Sequence, residues 1–434
     1  MTTFVAWLLA SVSVTIFLHT CYSLYLALYA WNDPERLRTD RGSSPAPVLS
    51  FTVIVPARHE EQVIGETIRR VCEANYPDEL LEVFVVCSAD DVGTIAAAEK
   101  AIEAGKLDIA RVLTFANPPI NKPHGLNVGL RQATGDYVAV FDAEDDMHPE
   151  IFNAVNANVL REGSDVVQGP VQLMNYSSNW YSLFNVVEYF IWFNSRLRLQ
   201  AEKAAVTLGG NTVFFRRTAL EAIHGWDEEC LTEDADVGIR LSAMGATIRV
   251  IYDPALATKE ETPHSIPAFI RQRTRWNQGF MQVLRKGDWL RLPNLSTLWL
   301  AFFTIAFPVF HGVTTLLWPV AVFAIIQLDV PVAFAMVTYL PLYGLVFLYV
   351  INVVVLWEFT RTYNLRFPPS APVVMAITFL PYQLLLGVSA VRALVREAFG
   401  RNGWEKTLHT GAHREPAQQP VMQVQSVRVR VNED

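Results

Sequence analysis

The chain contains 434 residues and carries a formal net charge of −8 at pH 7. About half of the residues (51%) are hydrophobic and only 18% are charged, a low charged fraction for a wholly soluble protein. The length exceeds that of one ordinary domain, and the acidic balance argues against nucleic acid as a partner.

The first predicted element is a transmembrane helix over residues 1–31. No side chain from Phe4 to Trp31 is ionised, and this stretch exceeds the roughly 20 residues that a helix needs to cross a bilayer. It lacks a basic n-region and is longer than a signal-peptide core, so an anchor is favoured over a cleaved signal. Arginines at positions 36, 38 and 41 follow it, so the positive-inside bias places the next region in the cytosol. The four cysteines show no CxxC or metal-ligand spacing, which fits a reducing compartment.

Residues 49–263 are predicted to form a soluble α/β domain, after a linker rich in proline, serine and glycine. Short β-branched runs alternate with amphipathic stretches such as residues 62–74 and 93–104. The alternation predicts a mostly parallel sheet covered on both faces, with ligands bound beyond the carboxyl ends of the strands. No GxGxxG follows the first strand, so a dinucleotide-binding fold is not favoured. The strand candidates are FTVIVPA, LEVFVVCS, ARVLTFA, DYVAVFDA and ATIRVIYDP.

Three further regions complete the chain. Residues 264–293 interleave apolar side chains with arginine and lysine, which predicts an amphipathic helix at the membrane interface with its apolar side toward the lipid. Residues 294–396 contain three more uncharged apolar stretches and are predicted to form a C-terminal transmembrane bundle. Residues 397–434 form a polar tail that we expect to be cytosolic and partly disordered.

The number of crossings in the bundle depends on the first of its apolar stretches. The basic residues of the tail require an even number of crossings after the soluble domain. Residues 297–328 are long for one helix, and Pro308, His311, Gly312 and Pro319 are placed to break them into a hairpin of two short helices. We therefore expect four crossings after the soluble domain.

The first candidate site is the acidic cluster in VFDAEDDMHP, at the end of a strand that should be buried. Asp142, Glu144, Asp145 and Asp146 would repel one another there unless a cation lay between them. Oxygen ligands in this arrangement suit Mg²⁺ or Mn²⁺, which shares its coordination sphere with substrate phosphates. A sugar-diphosphate donor needs such an ion because its leaving group gains negative charge. The alternative interpretation is a solvated acidic turn.

The second candidate site is LTEDADVGIRL, where Thr232 is placed to cap a helix whose first turn carries Glu233 and Asp234. The helix dipole alone favours acidic residues at this position. The functional alternative makes Asp234 a general base, which takes the proton from an acceptor hydroxyl as that oxygen attacks an anomeric carbon.

The third candidate site is QRTRWNQG in the amphipathic region, residues 272–279. Arginine and tryptophan on interfacial helices commonly do no more than anchor the helix at the lipid headgroups. In the functional alternative, Arg275 binds a diphosphate and the ring of Trp276 forms a platform for a sugar.

Two loops contain further candidate ligand-binding residues. Lys122 lies in NKPHGLNVGL, where a loop enters a helix and a phosphate would be favoured. Gly209 and Gly210, followed by Asn211, allow a ligand to approach the backbone closely. Each segment is equally compatible with a plain turn.

Taken together, the three motifs in this order and spacing resemble those of the membrane-integrated family 2 glycosyltransferases, which include cellulose, curdlan, chitin and hyaluronan synthases. The similarity runs from about Phe51 to Gly279 and includes the flanking apolar helices. The resemblance implies a GT-A fold, a UDP-sugar donor, a divalent cation and inversion to a β-linkage.

The resemblance also implies roles for individual residues, with Asp234 as the catalytic base. Asp142 and either Glu144 or Asp145 would hold the metal, because the usual DxD of the family reads DAED here. The second strand ends in CSADD rather than DDGS, so the base contact comes from Asp90 or Asp91 or is lost. The expected nucleotide-sugar contacts are Pro56, Ala57, Arg58, Glu60, Asp90, Asp91, Lys122, Asp142, Gln272 and Arg275. The expected acceptor contacts are Gly209, Gly210, Asn211, Glu233 and Trp276.

Two acceptors are compatible with these motifs. In the leading hypothesis the enzyme is a processive β-glycan synthase, with Trp276 holding the terminal sugar at the mouth of a membrane channel. In the alternative it glycosylates a membrane lipid once, as the similar ceramide glucosyltransferases do. A transporter or receptor is disfavoured because it would not require a general base at Asp234. A glycosidase is disfavoured because it would use two carboxylates but would need neither a metal cluster nor a phosphate-binding arginine.

Overall fold

The computed structural model describes residues 2–32, 45–327 and 332–405, together with residues 411, 413 and 414. The strands are β1 (Phe51–Ala57), β2 (Leu81–Ser88), β3 (Ala110–Phe115), β4 (Tyr137–Val140), β5 (Val166–Gln168), β6 (Val171–Leu173), β7 (Val213–Arg216), β8 (Ile248–Val250) and β9 (Thr258–Glu260). The helices are α1 (Thr2–Leu28), α2 (Ile64–Cys72), α3 (Val92–Gly105), α4 (Lys122–Leu130), α5 (Ile151–Glu162), α6 (Ser182–Ile191), α7 (Leu197–Glu202), α8 (Arg217–Ala222), α9 (Glu233–Ala243), α10 (Ile266–Lys286), α11 (Leu295–Gln327), α12 (Val332–Thr338), α13 (Leu340–Thr362) and α14 (Ala371–Ala398).

The soluble domain is built on a seven-stranded sheet with the order β3-β2-β1-β4-β7-β5-β8. β1 pairs in parallel with β2 and β4, and β2 pairs in parallel with β3, so the carboxyl ends of these four strands meet at one edge. β7 runs antiparallel between β4 and β5, and a small parallel sheet joins β6 to β9. The predicted mostly parallel α/β fold is confirmed, and β1 and β2 match the predicted runs residue for residue.

Apolar cores on both faces of the sheet explain the continuous apolar runs of its central strands. Val53 and Val55 of β1 pack with Ile68 of α2 on one face, whereas Ile54 packs with Leu126 of α4 on the other. A Cβ atom at Gly129 would lie 2.8 Å from the Ile54 side chain, so α4 packs tightly on the sheet. This packing fixes the N-terminus of α4 beside the carboxyl edge.

The predicted amphipathic region contains α10, which begins after the cap Ser265 and ends at Gly287 in the left-handed conformation (φ +80°). The apolar side of α10 was expected to face lipid, and for Phe269 and Val283 this prediction is wrong because both are buried inside the protein. Phe269 packs in one cluster with the α14 residue Tyr382, and Val283 packs in another with α11. The neighbouring helices therefore occupy the place predicted for the bilayer.

Four helical stretches in the described part of the chain are long and apolar enough to cross a membrane: Phe4–Trp31, Leu295–Phe323, Val332–Thr362 and Ala371–Ala398. The predicted hairpin within residues 297–328 is wrong, because α11 continues through Pro308 and Pro319 as one helix. Proline is tolerated in membrane helices, where neighbouring helices and local adjustments satisfy the freed carbonyl groups. Among the described residues, three candidate spans rather than four follow the soluble domain.

Both ends of α14 lie against the soluble domain and α10. Before the helix, the Tyr176 hydroxyl donates to the Arg366 carbonyl at 2.8 Å. After it, the Gln278 amide donates to the Arg401 carbonyl at 3.1 Å. The start of the tail therefore lies on the same side as the soluble domain, the side predicted from its basic residues. Because both ends of α14 lie on that side, this helix does not carry the chain across a bilayer, although it is long and apolar enough to span one.

Candidate active site

The acidic cluster lies at the carboxyl edge of the sheet, in the turn that follows β4. Asp142 and Glu144 line a large cavity there. Asp145 is turned inward, where its carboxylate accepts hydrogen bonds from the Asp142 backbone N–H (2.8 Å) and the Asn211 side-chain amide (2.8 Å). The structure thus places Glu144, rather than Asp145, beside Asp142 at the cavity wall, and Asp145 fixes the shape of the turn.

The electrostatics of this turn fit a divalent cation. Burial raises the pKa of Asp145 well above its usual range, and the nearby carboxylates of Glu260 and Asp142 raise it further. Carboxylates crowded in this way are stabilised by a shared cation. The available donor atoms are all oxygens, which are the ligands that Mg²⁺ and Mn²⁺ prefer.

Lys122 connects the acidic turn to the second predicted motif. As the first residue of α4, it lies 2.5 Å from the Asp142 carboxylate and 3.7 Å from that of Glu233, and it donates to the Gly210 carbonyl at 2.9 Å. Burial alone would lower the pKa of the lysine, but Asp142 and Glu233 more than offset that effect and raise it. A permanently charged ammonium group therefore stands between the two acidic motifs.

The TED motif forms the first turn of α9, as predicted. Thr232 occupies the N-cap position, but the expected capping bond is absent, since its buried hydroxyl has no hydrogen-bond partner in the described part of the chain. Burial raises the pKa of Glu233 to about 7, and it also raises the pKa of Asp234. A Cβ atom at Gly210 would lie 3.1 Å from the Asp234 carboxylate. Only glycine leaves the Asp234 carboxylate free of a neighbouring side chain there.

The third motif faces the same cavity from α10. Gln272, Arg275 and Trp276 all line the cavity wall. The Gln272 side-chain carbonyl and the Arg275 Nε are buried and lack hydrogen-bond partners among the described residues. Buried polar atoms without partners are costly, so both atoms are available to a ligand. The Trp276 ring packs under the Arg273 guanidinium at 4.8 Å.

The loop after β1 forms another wall of the cavity, through Pro56, Ala57, Arg58 and Glu60. The loop after β2 does not. Asp91 accepts hydrogen bonds from the backbone N–H groups of His59 (2.6 Å) and Thr94 (3.3 Å), so it caps α3. Neither Asp90 nor Asp91, the expected base contacts, lines the cavity, whereas Ser88 does.

A second group of ligand-type side chains lies beside these loops. Atoms of His59, Glu61 and Asp91 fall within 4.8 Å of one another. His59 and Glu61 are exposed, and the Asp91 carboxylate is engaged in capping α3. The DAED turn therefore remains the better candidate metal site.

The Gly209–Gly210 loop also lines the cavity. Gly209 packs against the ring of Phe193, which a Cβ atom would approach to 2.9 Å. The Asn211 side chain lines the cavity, but its amide is engaged with the carboxylates of Asp145 and Glu260. The asparagine therefore supports the acidic turn, and its amide already has two partners.

Sequence reasoning missed the contribution of the tail. The Arg275 guanidinium lies over the Trp404 ring at 4.5 Å. The Arg414 guanidinium donates to the carbonyls of Glu144 (2.9 Å) and Asp145 (3.0 Å) and to the Thr67 hydroxyl (2.6 Å). These described residues of the tail pack on the QRTRWNQG motif and on the acidic turn. No local pattern around Arg414 signals this contact.

All three motifs open into one continuous cavity of about 1080 Å³. At one end lie the acidic turn, Lys122 and Asp234. The other end extends between the apolar helices, where its wall is formed by residues of α1, α11, α13 and α14. The residues that the sequence analysis singled out are thus gathered around one space, apart from Asp90, Asp91 and Asp145.

This fold and this gathering of motifs define a GT-A-like glycosyltransferase attached to apolar helices. A mannosyltransferase from Pyrobaculum calidifontis, solved in complex with GDP-Man and Mn²⁺, has a similar fold, with a TM-score of 0.57 and 19% identity over 91% of this chain and 99% of that one. The profile of the family described as "Glycosyltransferase like family 2" matches residues 46–279, more than half of the chain. The chain belongs to this family, which confirms the resemblance.

Curated relatives are similar over the same region. A probable glycosyltransferase of Bacillus subtilis, YdaM, is 31% identical over 54% of this chain and 56% of its own length. The β-monoglucosyldiacylglycerol synthase of Trichormus variabilis is 31% identical over 53% of this chain and 49% of its own length. The poly-β-1,6-N-acetyl-D-glucosamine synthase of Staphylococcus epidermidis is 25% identical over 62% of this chain and 62% of its own length. The chain thus spans about half to two thirds of the length of these relatives.

Proposed function

We propose that this protein is an inverting glycosyltransferase that moves a hexose from a UDP-sugar onto a hydroxyl group of a membrane lipid. The observation that carries the proposal is the single cavity that joins the catalytic carboxylates to the space between the apolar helices. A water-soluble donor and a membrane-bound acceptor would enter it from opposite ends.

The donor end offers the groups that a nucleoside diphosphate requires. Lys122 carries a permanent charge at the cavity wall, and the Nε of Arg275 has no hydrogen-bond partner within the part of the chain that the structure describes. Both would bind the diphosphate by charge-assisted hydrogen bonds. Asp142 and Glu144 would hold Mg²⁺ or Mn²⁺, which would neutralise the charge that develops on the departing diphosphate.

Asp234 supplies the base in this proposal. The acceptor oxygen forms a bond to the anomeric carbon while the bond from that carbon to the diphosphate oxygen breaks, and the hydroxyl proton passes to the Asp234 carboxylate. A single displacement of this kind inverts the anomeric configuration. The raised pKa of Asp234 suits the role, because a base works best when its pKa lies closer to the working pH.

The membrane end of the cavity favours a lipid acceptor. Trp318, Leu380 and Leu384 line the cavity and are at the same time 64%, 60% and 56% exposed on the outer surface of the helices. These side chains therefore belong both to the cavity wall and to the outer apolar surface of α11 and α14, where lipid chains would lie. Apolar walls with few polar groups are typical of sites that bind lipid-like ligands.

Polymer synthesis is the second candidate function. The Trp276 ring lines the cavity near the catalytic end, where it would hold the terminal sugar of a growing chain. The relative that makes poly-β-1,6-N-acetyl-D-glucosamine supports the same interpretation.

Product analysis tests both candidates. The full chain in lipid nanodiscs would be incubated with radiolabelled UDP- and GDP-sugars and Mn²⁺ or Mg²⁺, and the product would be sized, with the Asp234→Asn variant as the inactive control. We expect one labelled hexose on an extractable lipid. A polymer of many sugars would overturn the lipid proposal in favour of the second candidate, and exclusive use of GDP-sugars would overturn the proposed donor.

A further inference from the structure

The segment between α6 and α7 links the active site to the membrane helices. It forms a π-helical turn, Trp192–Arg196, a type of turn that often occurs at functional sites. On one side, Phe193 packs against Gly209 of the catalytic loop. On the other, the Ser195 hydroxyl donates to the Leu26 carbonyl of α1 at 2.8 Å and accepts from the Ala30 N–H at 3.2 Å. Arg196, the last residue of the turn, lines the shared cavity.

Arg196 is a cation at the cavity wall that has no direct ion pair in the described part of the chain. Its buried Nε has no hydrogen-bond partner among the described residues. Burial lowers the pKa of its guanidinium, while Glu188 opposes that effect; an arginine still remains protonated at neutral pH. Two other arginines form ion pairs, Arg198 with Glu202 at 3.8 Å and Arg273 with Glu188.

A buried and unpaired charge is unfavourable unless a ligand neutralises it. The planar guanidinium fork matches the geometry of phosphate oxygens. The neighbouring Ser195 contacts Leu26 and Ala30 at the end of α1 that leads into the soluble domain. Arg196 lines the same cavity as Asp234, and lipid headgroups would lie near this end of α1.

We propose that Arg196 binds the phosphate of an anionic lipid acceptor, so that the acyl chains occupy the apolar end of the cavity and a hydroxyl of the headgroup reaches Asp234. The preferred acceptor is then a phosphoglycerolipid with a free headgroup hydroxyl rather than a neutral diacylglycerol. This inference rests on the proposed transfer to a lipid, and it adds the chemical class of that lipid.

Two acceptors with identical acyl chains provide the test: phosphatidylglycerol, which carries a phosphate and a free hydroxyl, and diacylglycerol, which carries only the hydroxyl. The full chain would be assayed in nanodiscs as the wild type, Arg196→Gln, Arg196→Lys and the matched control Arg198→Gln. We expect the wild type to prefer phosphatidylglycerol in kcat/KM. The preference should fall about 10- to 100-fold in Arg196→Gln, as for the loss of a charged hydrogen bond, and partly in Arg196→Lys, but not in Arg198→Gln.

Thermal unfolding separates lipid binding from a structural role. Because the Arg196 side chain lacks an ion pair among the described residues, Arg196→Gln should unfold at the same temperature as the wild type or a higher one in neutral lipid. Added phosphatidylglycerol should stabilise the wild type and not the variant. A lower unfolding temperature of Arg196→Gln in neutral lipid, or equal losses of activity on both acceptors, would overturn the inference.

The outcomes also separate this inference from the proposed function. Transfer to neither lipid by the wild type would refute the proposed lipid acceptor. In that case the stabilisation by phosphatidylglycerol still decides the role of Arg196: stabilisation of the wild type alone supports a phosphate site, and equal stabilisation of wild type and Arg196→Gln refutes it.

Discussion

Glu233 should destabilise the folded protein at neutral and alkaline pH. Its side chain is buried, with only 4% of the residue exposed, and burial raises its pKa from 4.5 to about 7, an effect that Asp234 strengthens and Lys122 opposes. When folding raises the pKa of a carboxyl group, ionisation of that group is less favourable in the folded protein than in the unfolded protein, so ionisation lowers the free energy of unfolding. The resulting penalty is absent below about pH 4.5, grows as the pH rises to about 7 and stays constant above that value.

The magnitude follows from the two pKa values. A shift from 4.5 to about 7, at about 1.4 kcal/mol per unit, corresponds to about 3 kcal/mol of unfolding free energy. Glu233→Gln removes the ionisation but keeps the shape of the side chain, and Lys122 retains Asp142 as its closer partner. We therefore expect the variant to be more stable than the wild type by up to about 3 kcal/mol at pH 8, with no such gain at pH 4.5.

Thermal unfolding of the purified full chain at both pH values provides the measurement. A gain of this size should raise the midpoint at pH 8 by several degrees, at about 2–4 °C per kcal/mol for a domain of this size. Glu99→Gln, which alters an exposed glutamate of α3, serves as the matched control and should change neither midpoint. Equal midpoints of Glu233→Gln and wild type at pH 8, or a gain that is as large at pH 4.5, would refute the reasoning.

Three further predictions concern catalysis directly. Asp234→Asn should lower glycosyl transfer by about 10²–10⁴-fold while calorimetry shows unchanged binding of the donor nucleotide; a loss below tenfold would contradict a general base. Glu144→Gln should raise the Mn²⁺ concentration for half-maximal activity by about tenfold or more, as expected on loss of a ligand. Asp145→Asn should instead raise the unfolding temperature at pH 8, because burial and the neighbouring carboxylates disfavour ionisation of Asp145 in the folded protein. Arg414→Gln should likewise weaken the response to Mn²⁺, since its guanidinium holds two carbonyls of that turn; a Mn²⁺ titration identical to that of the wild type would contradict this role.

The parts of the fold that the sequence predicted are those with strong local signals. β1 and β2 are long apolar runs, and each is buried by helices on both faces, so their β-branched pattern is a direct consequence of their position. The acidic turn and Lys122 come together because both follow parallel strands that end at one edge of the sheet. The topology of the fold thus converts separate motifs into one site.

The parts that were not predicted depend on contacts between distant segments. The antiparallel strand β7 has only four residues, and its place between β4 and β5 is set by pairing rather than by its own composition. Asp145 and Glu144 are adjacent acidic residues in the sequence, and only the hydrogen bonds of the folded turn distinguish them. The unbroken α11 depends on packing against α10 and α14, which a count of prolines does not reveal.

The charges around the cavity explain why a diphosphate would need to enter together with a cation. Among the described residues, eight carboxylate side chains line the cavity against five lysines and arginines. Burial and neighbouring carboxylates raise the pKa values of Asp145 and Glu233, so the ionisation of both groups is already disfavoured. A free nucleoside diphosphate would add negative charge to this space and be repelled. A complex of the diphosphate with a divalent cation is nearly neutral, and it would give Asp142 and Glu144 the counter-charge that Lys122 supplies only in part. In the proposed reaction the acidic turn would therefore select the metal-bound form of the donor.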